Sequence, residues 1–115
     1  MGLVVQNEFP AIEDVDLNRM RDNAQQAVTL LKVLGNEDRL ILLCQIAKQP
    51  RTVGELEQLT GISQPTLSQQ LGVLRREGLV VTQREGKYIR YQAADGRALQ
   101  LMQLLYQLFC QKIDP

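Results

Sequence analysis

A mainly α fold with one β-hairpin, in the order α-α-α-α-β-β-α, is predicted for this chain of 115 residues. Three observations predict it. Apolar residues recur at intervals of three and four along most of the chain. The joint Gly61-Ile62-Ser63 separates two short helical segments, and at Leu79 the helical period gives way to a two-residue alternation. The length is that of one domain, and a hydrophobic content of 44% is enough for a core and too high for a disordered chain.

Residues 1–15 mix Gly, Pro and acids without a period and read as a flexible N-terminal tail, leaving 16–113 as the folded domain. Leu17, Met20, Ala24, Ala27, Val28, Leu31 and Leu34 then mark a first helix that Gly35 stops. Asn36 caps a second helix through Leu40, Leu43 and Cys44 to about Lys48. Thr52 and Glu55 have the spacing of a capping box, in which each side chain bonds the other's backbone N–H. The third helix turns Leu56 and Leu59 inward and ends at Gly61. Ser63 is a good N-cap for the fourth, and Pro65 fits its first turn, where a missing N–H costs nothing. That helix buries Leu67, Leu71 and Leu74 and runs to about Glu77, before Gly78. Two strands follow, from Leu79 to Arg84 and from Lys87 to Ala93, around a Glu85-Gly86 turn. After Asp95-Gly96 a last helix carries Leu99, Met102, Leu105, Tyr106 and Phe109 to near Lys112.

The net charge is zero but unevenly spread: residues 8–22 hold five acids and two bases, whereas residues 75–97 hold six bases and three acids. A neutral sum therefore hides a basic segment. The longest apolar stretch, Leu40 to Cys44, is far too short to cross a bilayer, and the N-terminus lacks the pattern of a secretory signal. A cytoplasmic location is expected. The chain has no histidine, no phosphate-cradling glycine loop and no nucleophile–base pair, so no enzyme is expected.

Two short helices joined by a tight turn form a helix-turn-helix, and the hairpin behind it is a wing. The second helix turns an uncharged polar set outward: Ser63, Gln64, Thr66, Ser68, Gln69 and Gln70. Such groups both donate and accept hydrogen bonds, which suits the edges of bases in a major groove, whereas an ordinary solvated face carries more Glu and Lys. Arg75 at the end of that helix, and Arg84, Lys87 and Arg90 on the hairpin, are candidates for phosphate or minor-groove contacts. The first and last helices are apolar over wider faces than so small a monomer can cover, so a homodimer through these helices is expected. Two-fold symmetry then calls for double-stranded DNA bearing an inverted-repeat operator.

The stretch from Gly54 to Gln58 and the block Gly61-Ile62-Ser63-Gln64-Pro65-Thr66-Leu67-Ser68-Gln69-Gln70-Leu71-Gly72-Val73-Leu74-Arg75 resemble the ArsR/SmtB family of winged-helix transcriptional repressors. Within it the chain is most similar to the BigR-like, sulfide-responsive branch, with HlyU-like regulators nearby, over about residues 17–113. The resemblance implies a dimer built from the first and last helices, with the fourth helix in the major groove.

Many members of that family sense metals, but here Glu55-Leu56-Glu57 stands where a Cys-x-Cys pair would be. Asp95 has no histidine beside it, so no metal site and no cofactor are expected. Read from the residues alone, Cys44 and Cys110 are either small core hydrophobes or a redox pair. The resemblance implies the pair: a dithiol that closes to a disulfide or polysulfide bridge under reactive sulfur or oxidants and releases the operator. Alternatives are an arsenite-responsive repressor using the same two thiolates and a HlyU-like activator or anti-silencer.

Overall fold

The computed structural model describes residues 16–110, so the tail assigned to 1–15 and the end of the last helix, with Lys112, lie outside the described residues. The first helix, α1 (Leu17–Leu34), begins where the Asp16 carboxylate accepts from the Asn18 N–H at 3.0 Å. Asn36 does the same for α2 (Glu37–Lys48), accepting from the Arg39 N–H at 3.0 Å. Both halves of the capping box at α3 (Val53–Thr60) form. The Glu55 carboxylate accepts from the Thr52 N–H at 2.8 Å, and the Thr52 hydroxyl accepts from the Glu55 N–H at 3.2 Å.

After α4 (Thr66–Arg76) come two strands and α5 (Gly96–Phe109), which Asp95 caps by accepting from the Arg97 and Ala98 N–H groups. The wing has three strands rather than the two expected. Arg51–Thr52 forms β1 and pairs antiparallel with β3 (Tyr88–Ala93), which pairs in turn with β2 (Val80–Glu85). Two residues show no alternation, and Thr52 is also the α3 cap, so the sequence pattern hides this strand. The hairpin turn is shifted by one residue: Glu85 pairs with Tyr88, leaving Gly86 and Lys87 as the loop. Gly86 has φ +62 at the first loop position, the place where a type II′ turn needs glycine.

Leu42, Leu43, Ile46, Leu56, Leu67, Leu71, Leu74 and Val80 form the centre of the core, all at most 2% exposed. Every helix except the long α1 commits one face to it, and α1 commits only its C-terminal end, where Val33 and Leu34 are buried and Leu30 packs beside them. Leu17, Val28 and Leu31 of α1 stay exposed, as do Leu104, Leu108 and Phe109 of α5. Before Leu34, the periodic stripe of the first helix is therefore not core of this chain but apolar surface. Leu59, expected inside, is 51% exposed, because the short α3 meets the core through Leu56, with Val53 packed half-buried beside it. No described helix is long and apolar enough to cross a membrane.

Candidate nucleic-acid interface and thiol pair

The joint between α3 and α4 is held by side-chain chemistry as well as by glycine. Gly61 takes φ +75, a left-handed conformation that strains any residue with a Cβ. The Thr60 hydroxyl donates to the Leu56 carbonyl at 2.7 Å and accepts from the Ile62 N–H at 3.1 Å, closing the turn. Ile62 packs half-buried against the core. The start of α4 differs from expectation. The helix begins at Thr66 with Pro65 as its N-cap residue and no side-chain cap on that residue. Ser63 contributes only its carbonyl, which accepts from the Leu67 N–H, and the Gln64 amide oxygen accepts from the Ser68 N–H at 3.0 Å.

This arrangement sorts the predicted contacts. Ser63, Gln64, Ser68 and Gln69 are exposed and Thr66 is half-buried, so these five lie along the accessible side of the first turns of α4. Gln70 is turned elsewhere: its amide oxygen accepts from Arg39 of α2 at 2.7 Å. Arg75 is exposed near the end of α4. On the wing, Arg84 and Lys87 are exposed beside the tip, with the Lys87 ammonium 5.6 Å from the centre of the Tyr88 ring. Arg90 is engaged within the chain, 3.0 Å from Glu85 and 3.4 Å from Glu55. The Glu85 hydrogen bond holds its guanidinium above the ordinary arginine range. Glu55 is held below the usual carboxylate range, chiefly by the Thr52 backbone N–H, with Arg90 adding to it.

Sequence reading missed Arg39 and the second role of Glu55. A signal for Arg39 exists: a cation in the first turn of a helix faces the positive end of the dipole, so it needs a partner elsewhere.

Cys44 and Cys110 are both free thiols. Cys44 is half-buried on α2, in an apolar groove of about 390 Å³ between α2 and α5 lined by Ala47, Lys48, Leu99, Met102 and Tyr106 among others. Cys110 is exposed and ends α5, its N–H donating to the Tyr106 carbonyl at 2.8 Å. Burial pushes the Cys44 thiol up from its ordinary value, the charge of Cys110 raises it further, and Lys48 opposes both. Among the described residues no group of three or more His, Cys, Asp and Glu is placed to hold a metal ion.

The chain is similar to known bacterial regulators along most of its length. Residues 36–82 match the model of the bacterial regulatory protein arsR family. The crystal structure of the transcriptional repressor BigR from Xylella fastidiosa aligns with a TM-score of 0.77 at 45% identity, over 85% of this chain and 100% of that one. The transcriptional activator HlyU of Vibrio cholerae is 39% identical over 97 residues, which is 84% of this chain and 90% of the relative. The homodimeric winged helix-turn-helix DNA-binding domain Mb0332 from Mycobacterium bovis aligns with a TM-score of 0.67 at 27% identity, over 84% of this chain and 94% of that one. These relatives are regulators of transcription, not enzymes, and this chain belongs to the arsR family of bacterial regulatory proteins.

Proposed function

We propose that the chain is a cytoplasmic homodimeric repressor that reads an inverted-repeat operator with α4 and lets go when Cys44 and Cys110 are bridged. The observation that carries the DNA half is the row Ser63, Gln64, Thr66, Ser68 and Gln69, uncharged, polar and accessible beside a wing whose tip presents Arg84 and Lys87. Arg75 extends the same surface. Dimerisation is supported by the unpaired apolar faces of α1 and α5 and by the homodimeric state of the Mycobacterium bovis domain. Repression rather than activation follows the likeness to BigR.

The redox half is supported by two free thiols on helices that line one groove, Cys44 within it on α2 and Cys110 at the end of α5. The exposed Cys110 thiolate attacks the outer sulfur of an organic persulfide, forming Cys110–S–SH and releasing the organic thiolate. The Cys44 thiolate then attacks the inner sulfur and expels hydrosulfide, leaving the Cys44–Cys110 disulfide. If Cys44 is persulfidated too, the same displacement gives a trisulfide. A direct disulfide requires the Cα atoms within about 7 Å, and each added sulfur relaxes that demand.

Binding to a duplex enriched from a random library by the wild-type chain, compared with an unselected duplex, tests the DNA half. Arg84→Ala and Lys87→Ala weaken both duplexes alike, each lowering the salt slope by about 1. Gln69→Ala weakens the selected duplex alone, by about tenfold. Failure to enrich any sequence, or equal loss on both duplexes for Gln69→Ala, contradicts the assignment.

A further inference from the structure

Arg39 of α2 bonds two other helices at once through a single guanidinium. Its Nε donates to the Val33 carbonyl at 2.6 Å and its Nη2 to the Lys32 carbonyl at 3.2 Å. These lie in the last turn of α1, where carbonyls lack helical partners and the dipole is negative. Its Nη1 donates to the Gln70 amide oxygen at 2.7 Å, in the middle of α4. The planar guanidinium therefore ties the end of α1, the start of α2 and the centre of α4 into one rigid joint.

The chemistry of the pair also fixes which way the Gln70 amide faces. Arginine has donors and no acceptor, so the amide must turn its oxygen to Arg39. What remains for any other partner is the NH₂ group and the second lone pair of an oxygen whose direction is already set. A glutamine free to rotate can turn its oxygen and its nitrogen together to the edge of an adenine, whereas one held in this way pairs only in the orientation that Arg39 sets.

We infer that Arg39 is a positioning residue for DNA reading: it sets α4 against α1 and α2 and fixes the orientation of the Gln70 amide. The inference rests on the reading of α4 as the helix that enters the major groove. Gln70 by this account does not act as an independent base contact, and the specificity it supports depends on Arg39.

A double-mutant cycle tests this with the full chain, the selected duplex and the unselected duplex. Arg39→Met and Gln70→Met each weaken the selected duplex by about tenfold, and the double variant is no weaker than the worse single one. Affinity for the unselected duplex stays within about twofold, because phosphate contacts are untouched. Arg39→Lys, which keeps the charge and part of the hydrogen bonding, falls between wild type and Arg39→Met. It also serves if melting of the helical circular dichroism finds Arg39→Met unfolded. Losses that multiply in the double variant, to about a hundredfold, overturn the inference. So does wild-type affinity in both Arg39 variants. Gln69→Ala run in parallel separates the two levels: if it weakens the selected duplex while the losses multiply, only the role of Arg39 falls. If Gln69→Ala has no effect either, the reading of α4 falls with it.

Discussion

Treating the reduced chain with an organic persulfide weakens its binding to the selected duplex by about tenfold or more, and Cys44→Ser abolishes the response. The effect is large because Cys44 sits on a helix bonded to the reading helix and Cys110 on the helix of the proposed dimer contact. Cys44 lies five residues beyond Arg39 on α2, and Arg39 is bonded to α4. Cys110 ends α5, whose apolar side is the proposed contact with the second subunit. A bridge between them therefore pulls the α4-bearing unit against the dimer contact, and a coupling of about 1–3 kcal/mol suffices for the loss. Dissociation constants before treatment, after it and after reduction check the result; equal loss in wild type and Cys44→Ser contradicts it. Closure also has a pH signature. Because burial and Cys110 raise the Cys44 pKa, Cys44 is held as the thiol where a free cysteine has begun to ionise. The bridging rate therefore keeps rising with pH beyond the range in which a free thiol has levelled off. Arsenite titration of the reduced thiols, followed by operator binding, distinguishes the soft-metalloid alternative: release by arsenite without release by persulfide favours it.

Leu67→Ala lowers the unfolding free energy by about 2–5 kcal/mol, a large share of what a domain of this size possesses. Leu67 is 0% exposed and packs where α4 meets the core, so truncating it leaves a cavity under the helix that reads DNA. The selected duplex is lost along with the packing. Leu59→Ala, one helix earlier and mostly in solvent, changes stability by no more than about 0.5 kcal/mol. Urea midpoints at a fixed protein concentration compare the two; a fixed concentration matters because a dimer's stability depends on it. Similar losses for both variants contradict the placement of the core.

Much of the fold was legible because the chain marks its own boundaries. Asp16, Asn36, Thr52 and Asp95 each cap the helix that follows, and the Leu67, Leu71 and Leu74 spacing gives the buried face of α4 directly. The wing showed through a change of period. What was hidden depends on contacts distant in sequence. Two residues pairing with β3 leave no pattern, and the fate of Leu59 is decided by where an eight-residue helix lies. The reading surface was partly legible in the same sense. The run from Ser63 to Gln70 announces a polar helix, but its sorting into exposed groups and one held by Arg39 needs an interaction spanning 31 positions. Likewise Arg90 looks like a phosphate contact until its pairing with Glu55 and Glu85 is in view.

All of this depends on α4 lying in the major groove twice, once from each of two symmetry-related subunits. Methylation protection of guanine N7 on the selected duplex reads that directly, since N7 faces only the major groove. Two protected patches about one helical turn apart are predicted, both weakened by Gln69→Ala. A single patch, or unprotected N7 positions under saturating protein, would contradict it.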